Sequence, residues 1–560
     1  MTIRLLLALT VAAVTLTAAE RFDVVVYGGT AGGTMAAIAA ARSGVSVALL
    51  EPGRHLGGMV SGGLGRTDNV RQEDIIGGLT RQFFERVGKH YGESISWTFE
   101  PKIAEQVFND WVREAGVHVF FSHRLASVTK KGNGVASLRT ENGAEFAATI
   151  FIDSSYEGDL MKAAGVSYAV GRESRALYGE SLAGRREFLP AHNQFRAPLS
   201  PFGEGGKLLP YIQPVEKIGL PGEGDGKIQA YCFRICLTDR EDNRLPLPRP
   251  MNYEPARFAL VKKHLAALGE SVVLRDFMGI SKMPNGKTDI NSGGPVSTNL
   301  LGASWEYPEA SYERRRQIWD EHLTWAQGLL YFLANDPGVP ANVRAEMGRY
   351  GLAKDEFLDT GHWPHQMYVR EARRMLGEYV LTQHDLQKHR TKHDSIGVGG
   401  YNIDIREVQW VAVDVFRFPN VAKEVLMEGY VSMPVEPYEI PYRSLLPKAS
   451  EADNLLVTSC ISASHVAYSS FRMEPQYMLA GHAAGIAAAQ SVRTSRTVHK
   501  IDISQLQTTL RAQNQILSVG IGGHSGSSMA GSPYAPGGRR HGVVSYLRPD
   551  FGVGPVLRHD

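Results

Sequence analysis

The sequence predicts an α/β protein organised around a parallel sheet, and three consecutive features near its start support this. Residues 24–27 are a short apolar run, as expected for a buried parallel strand. Residues 34–42 are rich in alanine and contain no helix breaker, which is typical of a helix packed tightly on a sheet. A second apolar run, 45–50, completes one strand–helix–strand unit.

The glycine-rich turn inside this unit predicts a Rossmann-like, dinucleotide-binding domain. Its main-chain N–H groups can approach a pyrophosphate, and the helix N-terminus adds partial positive charge. Glu51 lies 23 residues after Gly28, where an acid accepts hydrogen bonds from ribose hydroxyls and repels a 2′-phosphate. Thr30 replaces the second glycine of G-x-G-x-x-G, so an ordinary βα turn is the alternative. The candidate cofactor-binding residues here are Gly28, Gly29, Thr30, Ala31, Gly32, Gly33 and Glu51.

A second loop of small residues follows Glu51 and favours FAD over NAD. Residues 54–63 read RHLGGMVSGG, whereas a nicotinamide domain usually continues into another helix at this point. A flavoprotein instead loops back over the diphosphate and ribityl chain. We therefore predict FAD, with further contacts from Gly57, Gly58, Met59 and Ser61.

Length and composition indicate more than one domain and exclude some partners. A chain of 560 residues is too long for a single core. Its 60 Lys and Arg against 58 Asp and Glu create no overall field that would attract nucleic acid or an anionic membrane. After residue 19 no segment reaches 18 uninterrupted apolar residues, so no membrane span is predicted.

The first 19 residues have the pattern of a signal peptide. Arg4 gives a positive start, residues 5–16 form an apolar core of 12 residues, and residues 17–19 are small enough for cleavage. The apolar run is too short to cross a bilayer. We predict an exported, periplasmic or secreted protein, with an uncleaved apolar N-terminus as the alternative.

The cysteines and clustered histidines do not predict a metal or iron–sulfur centre. Cys232 and Cys236 are four apart in a strand-like segment, which places them unbridged on one face. Three thiols cannot supply the four ligands of a [4Fe–4S] cluster. Four histidines lie near one another without standard metal-ligand spacing: His362, His365, His384 and His393.

Later segments return the chain to the cofactor. Helices are predicted at 77–91 and 101–115, and a hairpin joins 135–139 to 146–151. The apolar strand that follows ends at Asp153, a further candidate cofactor-binding residue, and Asp159 starts or caps a helix.

In the C-terminal part of the chain, a short strand at 454–457 precedes a helix of small residues at 476–490. A helix N-terminus that faces the flavin stabilises negative charge on the reduced ring. Gly481 and Ala484 are the candidate cofactor-binding residues of this helix, although small residues there also permit close helix packing.

The segments define a predicted domain order. Residues 165–300 are rich in Gly, Pro and aromatics, strand-like at 228–237, and helical pieces follow at 312–333 and 343–357. The predicted order is a signal peptide at 1–19, the first part of the FAD-binding domain at 20–165, an inserted α+β substrate domain at 166–435, the C-terminal part of the FAD-binding domain at 436–515 and a Gly/Ser/Pro-rich tail at 516–560.

Several motifs together resemble one family. They include VYGGTAGG, EPGRHLGGM, FIDSSYEGDLMKAAGV, YVREARRMLGEYVLTQHD, DSIGVGGYNID, IPYRSLLPK and SASHVAYSSFRMEPQYMLAGHAAGIAAA. Over residues 22–515 the chain is similar to bacterial FAD-dependent oxidoreductases of the FAD_oxidored type, some of which are labelled xanthan lyase; the flavin subunit of heterodisulfide reductase is a distant relative. The resemblance implies a glutathione-reductase-like fold that holds FAD, and the missing cysteines separate this chain from the iron–sulfur relatives.

Candidate catalytic residues cluster just before the last helix. A base near flavin N5 would take a proton while hydride leaves carbon, and His465 is the first candidate; a backbone hydrogen bond in its own loop is the alternative. Arg472 either pairs with Glu474 or binds a substrate anion or the flavin O2. Tyr401 and Asn402, with Asp404, form a polar loop that could line the pocket.

Two further arginines have alternative roles. Arg370 and Arg374 would share one helix face at i, i+4, where they either clamp an anionic substrate or neutralise nearby glutamates. The leading hypothesis is an enzyme that dehydrogenates a small polar or carbohydrate-like substrate by hydride transfer to flavin N5 and passes electrons to an unknown acceptor. The alternative is a lyase or isomerase with structural or transiently redox-active FAD.

Overall fold

The computed structural model describes residues 19–66, 73–189, 193–387, 390–417 and 419–518. The predicted signal peptide up to residue 18, and the predicted tail from residue 519, lie outside the described residues. Within these ranges no helix is long and apolar enough to cross a membrane.

The described strands belong to several sheets and are numbered in chain order. They are β1 (Glu20–Tyr27), β2 (Val47–Glu51), β3 (His118–Phe121), β4 (Leu125–Lys131), β5 (Gly134–Thr140), β6 (Glu145–Asp153), β7 (Tyr168–Ala169), β8 (Ile212–Pro214), β9 (Ile235–Thr238), β10 (Arg244–Leu245), β11 (Met278–Lys282), β12 (Lys287–Ser292), β13 (Gly351–Ala353), β14 (Arg374–Met375), β15 (Ser395–Gly399), β16 (Ile403–Ile405), β17 (Gln409–Arg417), β18 (Asn420–Glu428), β19 (Val431–Met433), β20 (Tyr438–Pro441) and β21 (Leu455–Val457).

The described α-helices are also numbered in chain order. They are α1 (Ala31–Arg42), α2 (Gly78–His90), α3 (Pro101–Glu114), α4 (Asp159–Ala163), α5 (Arg175–Tyr178), α6 (Ala259–Leu268), α7 (Tyr312–Asn335), α8 (Ala341–Met347), α9 (Gln383–Gln387), α10 (His465–Phe471), α11 (Glu474–Thr494) and α12 (Ile503–Ala512).

The largest sheet has seven strands and contains the predicted βαβ unit. Strands β3, β2, β1 and β6 are neighbours and run parallel, and β21 pairs in parallel with the end of β6. Strands β4 and β5 form an antiparallel meander with the start of β6. The predicted α/β fold class with a parallel sheet is therefore confirmed.

This topology positions the candidate site. The carboxyl ends of parallel strands meet at one edge of a sheet, and ligands of open α/β sheets bind outside that edge. Gly28, Glu51, Asp153 and Thr458 stand at or just beyond the ends of β1, β2, β6 and β21. The ends of four strands, from three separate parts of the sequence, thus meet where the cofactor is expected.

Helix α11 packs on α1 through residues without large side chains. A Cβ atom added at Gly32 would lie 2.8 Å from the Tyr477 carbonyl oxygen, and one at Gly481 would collide with the Gly32 carbonyl oxygen. The backbones of α1 and α11 are therefore in direct contact, and such close packing restricts movement of the two helices next to the glycine turn.

The middle of the chain builds further sheets. A five-stranded antiparallel sheet has the order β10-β13-β9-β12-β11, and a three-stranded sheet has the order β18-β17-β8. Trp325 of α7 and Trp410 of β17 are buried in the large core beside them. The domain boundaries at 166 and 435 stay a prediction.

Some predicted elements are wrong in extent. The predicted helix 343–357 ends at Met347, because the next residue is Gly348 at its C-cap and the chain then enters β13. The predicted strand 228–237 is a regular strand only over Ile235–Thr238.

Two predictions about side-chain placement are also wrong. The segment 368–374 is not helical: it has no regular structure between the bridge at Tyr368 and the start of β14, so Arg370 and Arg374 do not share a helix face. Tyr368 pairs instead with Cys232 in an antiparallel bridge. Cys232 and Cys236 are not side by side, since Cys232 belongs to the large core and Cys236 to a small separate cluster.

Candidate functional site

The β1–α1 turn has the backbone geometry of a phosphate-binding turn. Gly28 adopts φ +97°, a conformation that L side chains rarely take, and a Cβ there would approach Ser155 N to 2.7 Å. A Cβ at Gly29 would lie 2.6 Å from Leu56 Cδ2. The turn therefore requires glycine at both positions.

Helix α1 begins earlier than expected, and this changes the role of several glycine-turn residues. Thr30 is the helix N-cap: its Oγ1 accepts from Gly33 N at 3.1 Å and donates to the Ser154 carbonyl oxygen at 2.9 Å. Ala31 is the first helical residue and is buried. A Cβ at Gly33 would collide with the Gly28 carbonyl oxygen, so Gly33 permits close strand–helix packing.

Gly32, Gly481 and Ala484 lie where α1 packs against α11, whereas the sequence predicted that they bind the cofactor. Gly32 and Gly481 touch each other between α1 and α11, and Ala484 is fully buried one turn further along α11. The structure thus gives the two glycines a helix-packing role, which was the alternative that small residues allowed.

Glu51 closes over the turn from the end of β2. Its Oε2 accepts from Gly29 N at 2.7 Å, and its Oε1 accepts from Gly53 N at 2.5 Å. Burial raises the pKa of Glu51 to about 7, although these two main-chain hydrogen bonds lower it. The carboxyl group that we expect to meet a ribose therefore already faces the glycine turn.

The loop after Glu51 folds back onto the same turn, as predicted for FAD. Gly57 N donates to the Gly29 carbonyl oxygen at 2.7 Å, and both Gly57 (φ +99°) and Gly58 (φ +54°) need left-handed backbone. Met59 N donates to the Tyr156 hydroxyl at 2.9 Å, and the Ser61 hydroxyl donates to the Leu56 carbonyl oxygen at 2.5 Å. The side chain of Ser61 therefore holds its own loop.

Asp153 organises the neighbouring loop rather than pointing a free oxygen at a ligand. Its Oδ1 accepts from the amide and hydroxyl of Ser155, and its Oδ2 accepts from Met161 N at 2.7 Å. Burial raises its pKa to about 6 against the effect of these bonds. Asp159 is not the helix cap: it follows Gly158, the N-cap of α4, and pairs with Arg315 and Arg373.

The start of α11 offers polar groups to a ligand. Gln476 lies in its first turn, and both amide atoms of its side chain are buried without a hydrogen-bond partner among the described residues. Such groups cost free energy unless something bonds to them. Together with the glycine turn and Glu51, this is the arrangement expected where FAD binds, so the residues present fit that cofactor.

His465 is the first residue of α10 and is held by a carboxylate from a distant segment. Both oxygens of Glu371 lie 2.8 Å from its Nδ1, and its backbone N donates to Glu173 Oε2 at 2.9 Å. Ser464, the N-cap, fixes the start of the helix by accepting from Ala467 N. The backbone-only role weighed for the His465 ring is therefore not what the structure shows.

The ion pairs around Glu371 keep it charged. Burial raises its pKa, but His465, Arg374 and the Gln229 amide outweigh burial and hold the pKa of Glu371 below its ordinary value. A carboxylate at Nδ1 places the proton of a neutral imidazole there and leaves a lone pair on Nε2. His465 Nε2 is buried and, among the described residues, has no hydrogen-bond partner.

Arg472 ends α10 and joins the predicted polar loop. Its Nη1 donates to the Tyr368 hydroxyl at 2.9 Å, and its Nη2 bonds to Asp404 Oδ2 at 2.9 Å. The Tyr401 carbonyl oxygen accepts from the Ser470 hydroxyl, which ties the polar loop to α10. Asn402 is half-buried beside Tyr401, before β16.

Two other charged residues of the site, Glu474 and Arg374, also have side-chain partners. Glu474 accepts from the Tyr156 hydroxyl at 2.7 Å. Arg374 bonds to Glu371 and, at 2.6 Å, to Glu173, so the neutralising role holds for Arg374. Glu371, Tyr156 and Gln476 were missed because nothing in their sequence spacing places them near His465 or the glycine turn.

A histidine pair near Glu51 does not have the geometry of a metal centre. His55 Nδ1 lies 2.8 Å from Glu105 Oε1, and the His55 and His365 rings stack at 3.9 Å with an interplanar angle of 9°. Since metal–imidazole bonds lie near the ring plane, two parallel stacked rings cannot both direct a nitrogen at one ion.

The fold and this edge of the sheet define a flavoenzyme. A model of the family "FAD dependent oxidoreductase" matches residues 23–510. The chain belongs to this family of FAD-dependent oxidoreductases, and FAD is its cofactor.

Solved structures resemble parts of the chain only. Thioredoxin reductase from T. acidophilum is 21% identical over 24% of this chain and 35% of its own, with a TM-score of 0.18. Glycine oxidase from Geobacillus kaustophilus is 17% identical over 28% and 63%, with a TM-score of 0.22. The anhydrotetracycline hydroxylase OxyS from Streptomyces rimosus is 17% identical over 28% and 38%, with a TM-score of 0.21. The chain spans less than two thirds of each, and such likeness says nothing about its activity.

Proposed function

We propose that the protein is an exported FAD-dependent dehydrogenase that oxidises a small polar or carbohydrate-like substrate, with His465 as the catalytic base. The observation that carries the proposal is the buried His465 Nε2, which has no partner among the described residues while Glu371 fixes the opposite ring nitrogen.

Oxidation of an alcohol or amine removes a hydride from carbon and a proton from the attached O–H or N–H. FAD accepts the hydride at N5 when bound. Nε2 of His465 accepts the proton, and Glu371 stabilises the imidazolium that this produces. Burial of the pair excludes water, which would otherwise weaken this electrostatic support.

Other residues bind the cofactor. Gly28 and Gly29 give the pyrophosphate a close main chain, Glu51 accepts from a ribose hydroxyl, and Gln476 offers its amide at the start of α11. The electron acceptor is a small molecule or carrier that the site residues do not identify. Export rests on the N-terminal pattern of residues 1–19, and N-terminal sequencing of protein recovered outside the cytoplasm tests it.

The test compares the wild type with His465→Gln, using a substrate found by screening sugars, sugar acids, amines and hydroxy acids with a dye acceptor. Loss of the base should lower kcat about 10²- to 10⁴-fold, because general base catalysis contributes that much. Glu371→Gln should lower kcat less, since the base remains but its tautomer and charge lose support.

FAD content measured by absorbance is the control, because both variants should still bind FAD. If His465→Gln turns over substrate as fast as the wild type, His465 is not the catalytic base. Product formation in the wild type without any flavin reduction would favour a lyase or isomerase instead.

A further inference from the structure

We propose that the substrate carries a carboxylate group, recognised by a buried arginine cluster formed by Arg370, Arg406 and Arg472 beside Tyr368. This rests on the proposed function and specifies the substrate class of the same site.

Tyr368 links the guanidinium groups of Arg370 and Arg472, and Asp404 links those of Arg472 and Arg406. The guanidinium carbons of Arg370 and Arg472 lie 4.7 and 5.7 Å from the Tyr368 ring centroid. Arg472 contacts one oxygen of Asp404 at 2.9 Å, and Arg406 lies 3.8 Å from the other. Arg370 and Arg472 thus share the Tyr368 ring, and Arg472 and Arg406 share the Asp404 carboxylate.

Arg370 differs from the other two in having no carboxylate partner. Its guanidinium N–H groups donate hydrogen bonds to the Ala230 carbonyl oxygen, to Asn299 Oδ1 at 2.9 Å and to Cys232 Sγ at 3.2 Å. Across the described ranges, no carboxylate forms an ion pair with it, although only 2% of Arg370 is exposed. A buried guanidinium held only by neutral groups is costly, because little water or counter-charge reaches it.

The charges of the cluster do not balance. Asp404 and Glu407 are the carboxylates that pair with it, Glu407 lying 3.3 Å from Arg406. Three guanidinium groups against two carboxylates leave one positive charge in a buried place. Burial lowers the pKa of Arg370, and the nearby positive charges of Arg406 and Arg472 lower it further.

Unused hydrogen-bond donors point to the same conclusion. The Nε–H groups of Arg406 and Arg472 are buried, and within the described part of the chain neither has an acceptor. Leaving a buried donor unsatisfied costs free energy, and the cost is larger for a charged group. A ligand with acceptor oxygens would satisfy these donors and supply the missing negative charge.

A carboxylate fits better than a phosphate. One excess positive charge is balanced by a monoanion, whereas a phosphate monoester brings nearly two negative charges at neutral pH. The guanidinium edge is also geometrically matched to the two oxygens of a carboxylate.

Helix α10 sets the approximate size of the substrate. His465 is its first residue and Arg472 follows its last, so their backbones are separated by about 10 Å at 1.5 Å per residue. The side chain of Arg472 can shorten this span. A carboxylate several carbons away from the oxidised carbon spans such a site, which favours a molecule of the size of a sugar acid over a two- or three-carbon acid.

Calorimetric titration of the FAD-loaded protein tests the proposal with hexanoate and gluconate, each beside its neutral amide. Hexanoate has no alcohol or amine to oxidise, so its binding is measured while the flavin stays oxidised. We expect the wild type to bind each acid at least tenfold more tightly than its amide.

Two variants identify the residue responsible. Arg370→Gln should lose the preference for acid over amide, and Arg370→Lys should keep part of it. Arg316→Gln removes the same charge at a position exposed on α7 and should keep the full preference. FAD content and the unfolding midpoint of each variant show that it is folded.

Equal affinity for acid and amide in the wild type, or no binding of either, overturns the proposal without any variant. An undiminished preference in folded Arg370→Gln overturns it as well. The proposed dehydrogenation is judged separately by flavin reduction, so carboxylate binding without flavin reduction would contradict only the proposed function.

Discussion

At the scale of one residue, burial of Glu51 beside the glycine turn changes its pKa. Its carboxyl group accepts from Gly29 N and Gly53 N, and burial raises its pKa to about 7 from an ordinary value of 4.5. The folded protein therefore favours the protonated form of Glu51 more than the unfolded chain does.

Substitution of Glu51 by Gln tests this pKa. A group whose pKa is raised by folding stabilises the fold below its unfolded pKa, and this contribution is lost as the pH rises through about 7. Between pH 5 and pH 8 the apoprotein should therefore lose about 2–3 kcal/mol of stability relative to Glu51→Gln, which cannot titrate.

Urea unfolding of both apoproteins at the two pH values measures the difference. Parallel pH dependence in wild type and variant would show that Glu51 has an ordinary pKa. Titration with FAD, followed by flavin fluorescence, should also show weaker binding to Glu51→Gln, because an amide accepts poorly where a ribose hydroxyl donates.

At this scale the sequence indicated the first βαβ unit and the segment of His465 and Arg472, but not the distant side chains that hold them. Glu51 was found because its position after a strand is fixed by local spacing. Glu371 was not, because it is 94 residues from His465 and lies in a segment whose charged residues suggested a helix. A contact between distant segments leaves no local pattern, and only folding brings those residues together.

Packing of α1 against α11 is the feature that matters most at the scale of elements. Gly481 of α11 touches the Gly32 carbonyl of α1, so any side chain at position 481 must separate the helices. The same pair supports the glycine turn from behind, and its separation would also disturb the turn.

Gly481→Ala should destabilise the protein by about 1–3 kcal/mol, the usual cost of overpacking, and weaken FAD binding. The matched control is Gly226→Ala, where an added Cβ meets no atom within 4 Å. Thermal unfolding and FAD titration of both variants measure the two effects. Equal midpoints for the two variants would mean that the helices can move apart without cost.

Elements defined by composition were predicted more reliably than elements defined by charge spacing. The alanine-rich α1 and the small-residue α11 were expected, although both extend beyond the predicted bounds. The segment 368–374 was expected to be a helix because its arginines are four apart. It is not helical because Arg370, Glu371 and Arg374 each bond to different parts of the fold, and these tertiary contacts override local spacing.

The whole molecule is joined across its segments by a buried ion cluster. Lys287 Nζ, at the start of β12, lies 2.7 Å from Glu100, 2.9 Å from Asp355 and 2.6 Å from Glu356. Glu100 precedes α3, next to the FAD-binding sheet, whereas Asp355 and Glu356 follow β13. One ammonium group therefore ties the middle of the chain to the cofactor-binding part.

Lys287→Met should destabilise the protein by about 3–5 kcal/mol at pH 8, because it leaves the buried carboxylate of Glu356 without its counter-charge. The loss should be smaller at pH 5. Burial raises the pKa of Glu356 to about 7 even with Lys287 present, so its carboxyl group can protonate as the pH falls. Arg240→Met, which removes a solvent-exposed pair with Asp242, should leave stability nearly unchanged, because exposed ion pairs contribute little. Denaturant unfolding of both variants provides the comparison, and an equal loss in the two would contradict a linking role for Lys287.

For the whole molecule, we propose that substrate electrons reach FAD while His465 takes the proton. The most direct test is the anaerobic absorbance spectrum of the FAD-loaded protein, recorded before and after adding pools of sugars, sugar acids, amines and hydroxy acids. We expect one pool to bleach the oxidised-flavin bands completely without any added oxidant. Products that accumulate from a pool while the flavin bands stay unchanged would contradict it.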